Sequence, residues 1–217
     1  MTMTGMMKKS NKSLRMGDNE AVLRKTGRKW QQWFTVLDSV GAAKMPHKQI
    51  AEYLYEKHGL SGWWSQMVTV VYEQERGLRE KHQKSDGSYV ICVSKVLPVS
   101  INTLYEFWSD GNRRNQWLTH ENYNTVTITI SKTTMNKSMH IVWNEIKKKK
   151  ITTNNSRNNH NNKNKTRVDV NFYDKGTSKS QVVVQHSKLS NLNEVEKMRS
   201  YWKKAVERLT ILVRKVN

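Results

Sequence analysis

The chain has 217 residues, 38 Lys and Arg against 18 Asp and Glu, and a formal charge of +20. Its one cysteine, Cys92, excludes an intramolecular disulfide and a multi-cysteine zinc site, and suits a reducing cytoplasm. No stretch approaches the roughly 18 apolar residues of a membrane span, so the expectation is a soluble cytoplasmic protein with no membrane segment.

Residues 1–18, beginning "MTMTGMMKKSNKSLRMG", lack both periodicity and a signal-peptide apolar core, and read as a disordered leader. Residues 19–80 read as a small three-helix domain. Trp30, Trp33, Phe34 and Leu37 recur at spacings of three and four, with Thr26 as the expected N-cap and Gly41 as the stop. Pro46 opens a second helix with Ile50, Tyr53 and Leu54 inward, and Gly59 ends it. Ser61 caps a third, carrying Trp64, Met67, Val68, Val71 and Tyr72 to Gly77. Helix, short turn and helix invite comparison with a DNA-reading motif. The last helix has no Lys or Arg between Leu60 and Glu75, however, and ends in Glu73 and Glu75, which repel phosphates. The Trp63–Trp64 pair is therefore read as core.

From about residue 88 the period changes. "SYVICVSKV" reads as a strand, and "SINTLYEFWSDGNRRNQWL" as a helix with Leu104, Phe107 and Trp108 inward, then a short helical turn ending at Trp117. "TVTITIS", "SMHIVW", "RVDVNFY" and "SQVVVQH" alternate as strands; Val126, Ile128 and Ile130 share one face, as do Met139, Ile141 and Trp143. A final helix from about Asn193 aligns Val195, Met198, Trp202, Ala205, Leu209 and Leu212. A sheet with one apolar face needs cover, and this helix supplies it. The fold class expected is α+β.

Charge is concentrated at two places. Residues 147–167 hold eight Lys or Arg and no acid, and residues 1–29 hold eight more. The stretch 147–165 is almost all Lys, Asn, Thr and Ser, reads as a disordered insertion in a hairpin, and either contacts nucleic acid or an acidic partner or is compositional drift.

Two resemblances cover most of the chain. Residues from about 20 to 80, above all "HKQIAEYLYEKHGLSGWWSQMVTVVYEQERG", resemble an uncharacterised bacterial domain of the DUF-4287 type. From residue 88 to 217 the entry "VLPVSINTLY", Trp108 and Trp117 around "SDGNRRNQWL", and the ending "QVVVQHSKL…MRSYWKKAVERL" resemble the START-like (SRPBCC) superfamily. The nearest branch is the activator-of-heat-shock-protein-90-ATPase (AHSA) type. That resemblance implies a helix-grip fold, an antiparallel sheet wrapped around the long C-terminal helix, with room between them for an apolar small molecule. The short step from Trp117 to Val126 implies that this pocket is small or filled.

The expected pocket residues are Trp108, Trp117, Val126, Ile128, Ile130, Met139, Ile141, Trp143, His186, Met198, Trp202 and Ala205, with Arg113 and Arg114 as cations at its mouth. His186 follows Val182 and Val184 on one face and reads either as a satisfied core histidine or as a ligand contact; the two arginines read either as anion holders or as a solvated helix end. The seven histidines show no H-E-x-x-H spacing, no glycine-rich phosphate loop occurs, and Cys92 reads as a small buried hydrophobe. No catalytic residue, metal site or cofactor is expected. The leading expectation is a non-catalytic binding module for an apolar small molecule. The alternatives are a protein-interaction or co-chaperone-like module, nucleic-acid association through the basic segments, and an enzyme of the superfamily's cyclase or hydrolase kind.

Overall fold

The computed structural model describes residues 19–118, 126–145 and 165–215. The leader, the step from 119 to 125 and most of the Lys/Asn run lie outside them; the insertion expected to end at 165 gives way to strand at Lys165 itself. The chain forms two compact units, Met1–Lys81 and His82–Asn217.

The first unit is helical: α1 (Asn19–Thr26), α2 (Trp30–Ser39), a 3-10 turn at Ala42–Lys44, α3 (His47–His58) and α4 (Gly62–Glu75). The short helix α1 precedes the three that periodicity marks. Thr26 closes it instead of capping α2: its hydroxyl donates to the Val22 carbonyl at 2.7 Å and accepts the Trp33 indole N–H at 2.8 Å. The start of α2 is held by the Gln32 carboxamide, which accepts from Lys29 N. Gly59 takes the left-handed conformation that ends α3 (φ 66°). Trp30, Trp33, Phe34, Leu37, Ile50, Leu54, Val68 and Tyr72 form the core. The tryptophan pair splits. Trp64 packs against this core, but Trp63 is 61% exposed and meets Trp64 edge to face. Adjacent helical positions point about 100° apart, so one indole of a neighbouring pair faces out.

The second unit runs β1 (Tyr89–Leu97), α5 (Ile101–Ser109), α6 (Gly111–Trp117), β2 (Val126–Thr134), β3 (Ser138–Glu145), β4 (Lys165–Asp174), β5 (Ser180–Leu189) and α7 (Leu192–Val213). The strands make one antiparallel sheet in the order β1-β5-β4-β3-β2. Met139, Ile141 and Trp143 on β3, Val168, Val170 and Phe172 on β4, and Val182 and Val184 on β5 share the inner face. Against it α7 buries Val195, Met198, Trp202, Ala205, Val206, Leu209 and Val213. Each large side chain taken from water contributes about 1.5–3 kcal/mol, so this single stripe fixes the helix on the sheet. The helix start is doubly held: Asn191 Oδ1 accepts from Glu194 N, and the Glu194 carboxylate accepts from Ser190 N. Farther along, Arg208 Nε donates to the Trp117 carbonyl at 2.8 Å, tying α7 to the end of α6. This α+β arrangement, sheet curled about a long C-terminal helix, is the helix-grip fold. Cys92 departs from its reading: it lies on the outer side of β1 and is exposed. Ile91 is the residue of that pair that turns inward.

Candidate functional site

Four elements of the second unit bring tryptophans to one place: Trp108 on α5, Trp117 at the end of α6, Trp143 on β3 and Trp202 on α7. All are at most 2% exposed. Trp108 meets Trp117 edge to face at 4.6 Å and lies nearly parallel to Trp202 at 6.1 Å; Trp202 in turn lies 5.6 Å from Trp143. Met139, Ile141, Met198 and Ala205 are buried in the same cluster, and Val126, Ile128 and Ile130 pack on it from β2, half-buried.

His186 enters from β5 and is fully buried. Its Nδ1 accepts the Trp202 indole N–H at 3.0 Å, which leaves the ring proton on Nε2 facing Thr166 Oγ1 at 2.6 Å. The Thr166 hydroxyl then reaches the Trp143 carbonyl at 3.4 Å. Every polar atom of this relay has a partner. Burial pushes the imidazole down to about 3, so it is neutral at physiological pH. Thr166 was invisible as a site residue in the sequence. What brings it there is the strand register, Trp143 opposite Thr166 and Val168 opposite His186.

The Trp108 indole is different. Its Nε1 is buried and has no acceptor. A neighbouring indole with the same need is met locally: Trp117 Nε1 donates to the Phe107 carbonyl at 3.0 Å. A buried donor left unpaired costs about 1–3 kcal/mol, and it sits here among the rings of Trp117, Phe172 and Trp202.

The two cations expected at the mouth are engaged locally. Arg113 pairs with Glu106 at 2.8 Å and covers the Phe107 ring; Arg114 donates to the carbonyls of Trp108 and Ser109 at the end of α5. Among the described residues no group of three or more His, Cys, Asp or Glu stands together as metal ligands, and no helix is long and apolar enough to cross a membrane.

No family model and no curated protein matches the chain. Solved structures do. CalU16 from Micromonospora echinospora is 12% identical over 62% of this chain and 80% of its own, with a TM-score of 0.46. The AHSA1 protein from Silicibacter pomeroyi is 10% identical over 59% and 99%, with a TM-score of 0.43. An HSP90 activator from Plasmodium falciparum is 9% identical over 57% and 95%, also at 0.43. At such identities and scores nothing about activity passes from these proteins to this chain.

Proposed function

We propose that the sheet-and-helix unit is a non-catalytic binding module that holds a small apolar molecule bearing one hydrogen-bond acceptor between the sheet and α7. The observation that carries this reading is Trp108 Nε1, a buried donor with no acceptor, at the centre of an aromatic cluster. Aromatic walls with one or two polar groups are what a site for such a ligand needs. The neighbouring polar groups support binding over catalysis: His186 is neutral, and both its nitrogens are committed to Trp202 and Thr166.

Thermal-shift screening of fatty acids, sterols and aromatic polyketides tests the reading. A ligand at a hundredfold excess over its dissociation constant stabilises the fold by about 2.7 kcal/mol. Trp108→Phe keeps the ring packing and removes the donor, so the protein stays folded and loses its preference for ligands with a carbonyl or hydroxyl. Equal affinity of wild type and variant for such ligands contradicts the proposal. A protein-interaction or co-chaperone-like role is the second reading. It is favoured by Val96 on the edge strand β1 and Ile211 on α7, 50% and 52% exposed, and takes first place if no ligand shifts the transition. For the helical unit the DUF-4287-type likeness spans residues from about 20 to 80, above all 47–77, and brings no activity with it.

A further inference from the structure

The outer face of the same sheet carries an open groove of about 640 Å³, lined by Ser131, Lys132, His140, Val142, Lys165, Arg167 and Lys188, among others. Two backbone irregularities build it, and each turns out a lysine. On β2, alternation from Ile128 and Ile130 would put Lys132 on the inner face. The extra residue Ser131 breaks the ladder, so that Ile130 still opposes Ile141 but Lys132 opposes His140 on the outer face. On β5 two residues, Ser187 and Lys188, stand between the partners of Tyr89 and Ile91, where β1 has one. Lys188 takes the left-handed conformation of that bulge, φ 63°, where glycine is the usual occupant. A lysine held in an unfavourable backbone state at a groove wall points to a use for its side chain.

The charge of the groove is one-sided. Lys132, Lys165 and Lys188 have no ion-pair partner among the described residues. Arg167 shares one carboxylate, Asp169, with His140, and Asp169 is the acid of that cluster. The cations come from β5, β4 and β2, which lie within three strand spacings of one another, about 14 Å. The Ser131 hydroxyl, donating to the His140 carbonyl, adds a polar wall, and Val142 an apolar floor. The named lining residues include no Phe, Tyr or Trp ring on which a base stacks; His140, the one aromatic ring, is engaged by Asp169. Ammonium groups that line one groove with a guanidinium fit phosphate oxygens.

We propose that this groove binds a small phosphorylated ligand, its phosphate group held by Lys132, Lys165, Arg167 and Lys188 on the sheet face opposite α7. The groove lies on the opposite face of the sheet from the aromatic cluster, with which it shares Ile141 and Thr166, and its cations are available whether or not that cluster holds a ligand.

Titration of the full chain with inorganic pyrophosphate, followed by amide NMR and calorimetry, tests it. Two variants with equal charge removed are compared: Lys132→Ala with Lys188→Gly, and Lys203→Ala with Lys204→Ala on the exposed side of α7. The groove pair is expected to weaken pyrophosphate binding by about tenfold, the α7 pair by less than about twofold. Shifts should centre on β2, β4 and β5. Lys188→Gly alone should raise the melting temperature while weakening binding, which separates loss of a contact from loss of the fold. Equal losses in both pairs reduce the effect to net charge and overturn the proposal, as does an unchanged affinity in the groove pair. A short single-stranded RNA is the second arm. Displacement of the RNA by pyrophosphate agrees with a phosphate site; RNA binding in the groove that pyrophosphate neither matches nor competes with overturns it in favour of a nucleic-acid surface.

Discussion

His186 shows how one buried side chain sets a pH response. In the unfolded chain it titrates at its ordinary value of 6.5; in the fold, burial holds it down to about 3. Between those values the unfolded state binds a proton that the native state refuses. Stability is therefore complete above the unfolded value and falls as pH is lowered, by at most about 1.4 kcal/mol per pH unit. The groups facing the ring, Thr166, Trp143 and Trp202, do not titrate in this range. Urea unfolding at about pH 7 and about pH 5 should show wild type losing about 1–2 kcal/mol more than His186→Gln. An identical loss in the two proteins would mean that the ring is not buried neutral. The same residue marks what a sequence discloses. Val182, Val184 and His186 on one face announce a buried histidine, but not the Thr166 and Trp202 that satisfy it, because partners across strands depend on register. Trp63 and Cys92 are the opposite case: an aromatic and a thiol suggest burial by type, while their position on a helix or strand turns them outward.

Elements with a long period were the most legible. The stripe from Val195 to Leu209 defines α7, and strict alternation defines β3, β4 and β5, because both express a solvent boundary repeated over many residues. Helix α1 escaped notice since Val22 is its one buried residue, too little for a period. The two bulges escaped for a related reason: Lys132 and Lys188 look like exposed lysines on any reading, and the extra residue beside each leaves no trace in composition. The β3–β4 hairpin carries a prediction. Its strands pair up to Asn144 opposite Lys165. Replacing residues 147–164, rich in Lys and Asn, by Asn-Gly leaves a connection of four residues and a shorter loop to close. The melting temperature should hold or rise, with a gain of about 1 kcal/mol. A fall of many degrees would show that this segment contributes to the folded unit.

At the scale of the whole molecule, the charge of +20 and the apolar core are separate matters. The core dictates a helix-grip unit. The charge is spent partly in the basic stretches read from sequence and partly on the outer sheet face, where Lys132, Lys165, Arg167 and Lys188 line one groove. The two faces of one sheet thus offer two chemistries, aromatic within and cationic without. On the inner face Trp108 Nε1 is a buried donor without an acceptor, and the proposed ligand supplies that acceptor. The most direct test is the indole ¹H–¹⁵N resonance of Trp108 in the full chain, assigned by its disappearance in Trp108→Phe and followed during titration with a fatty acid, a sterol and an aromatic polyketide. A ligand that raises the melting temperature should move this resonance downfield, as a hydrogen bond forms. A stabilising ligand that leaves the Trp108 indole unmoved, or the absence of any stabilising ligand, would contradict the proposal.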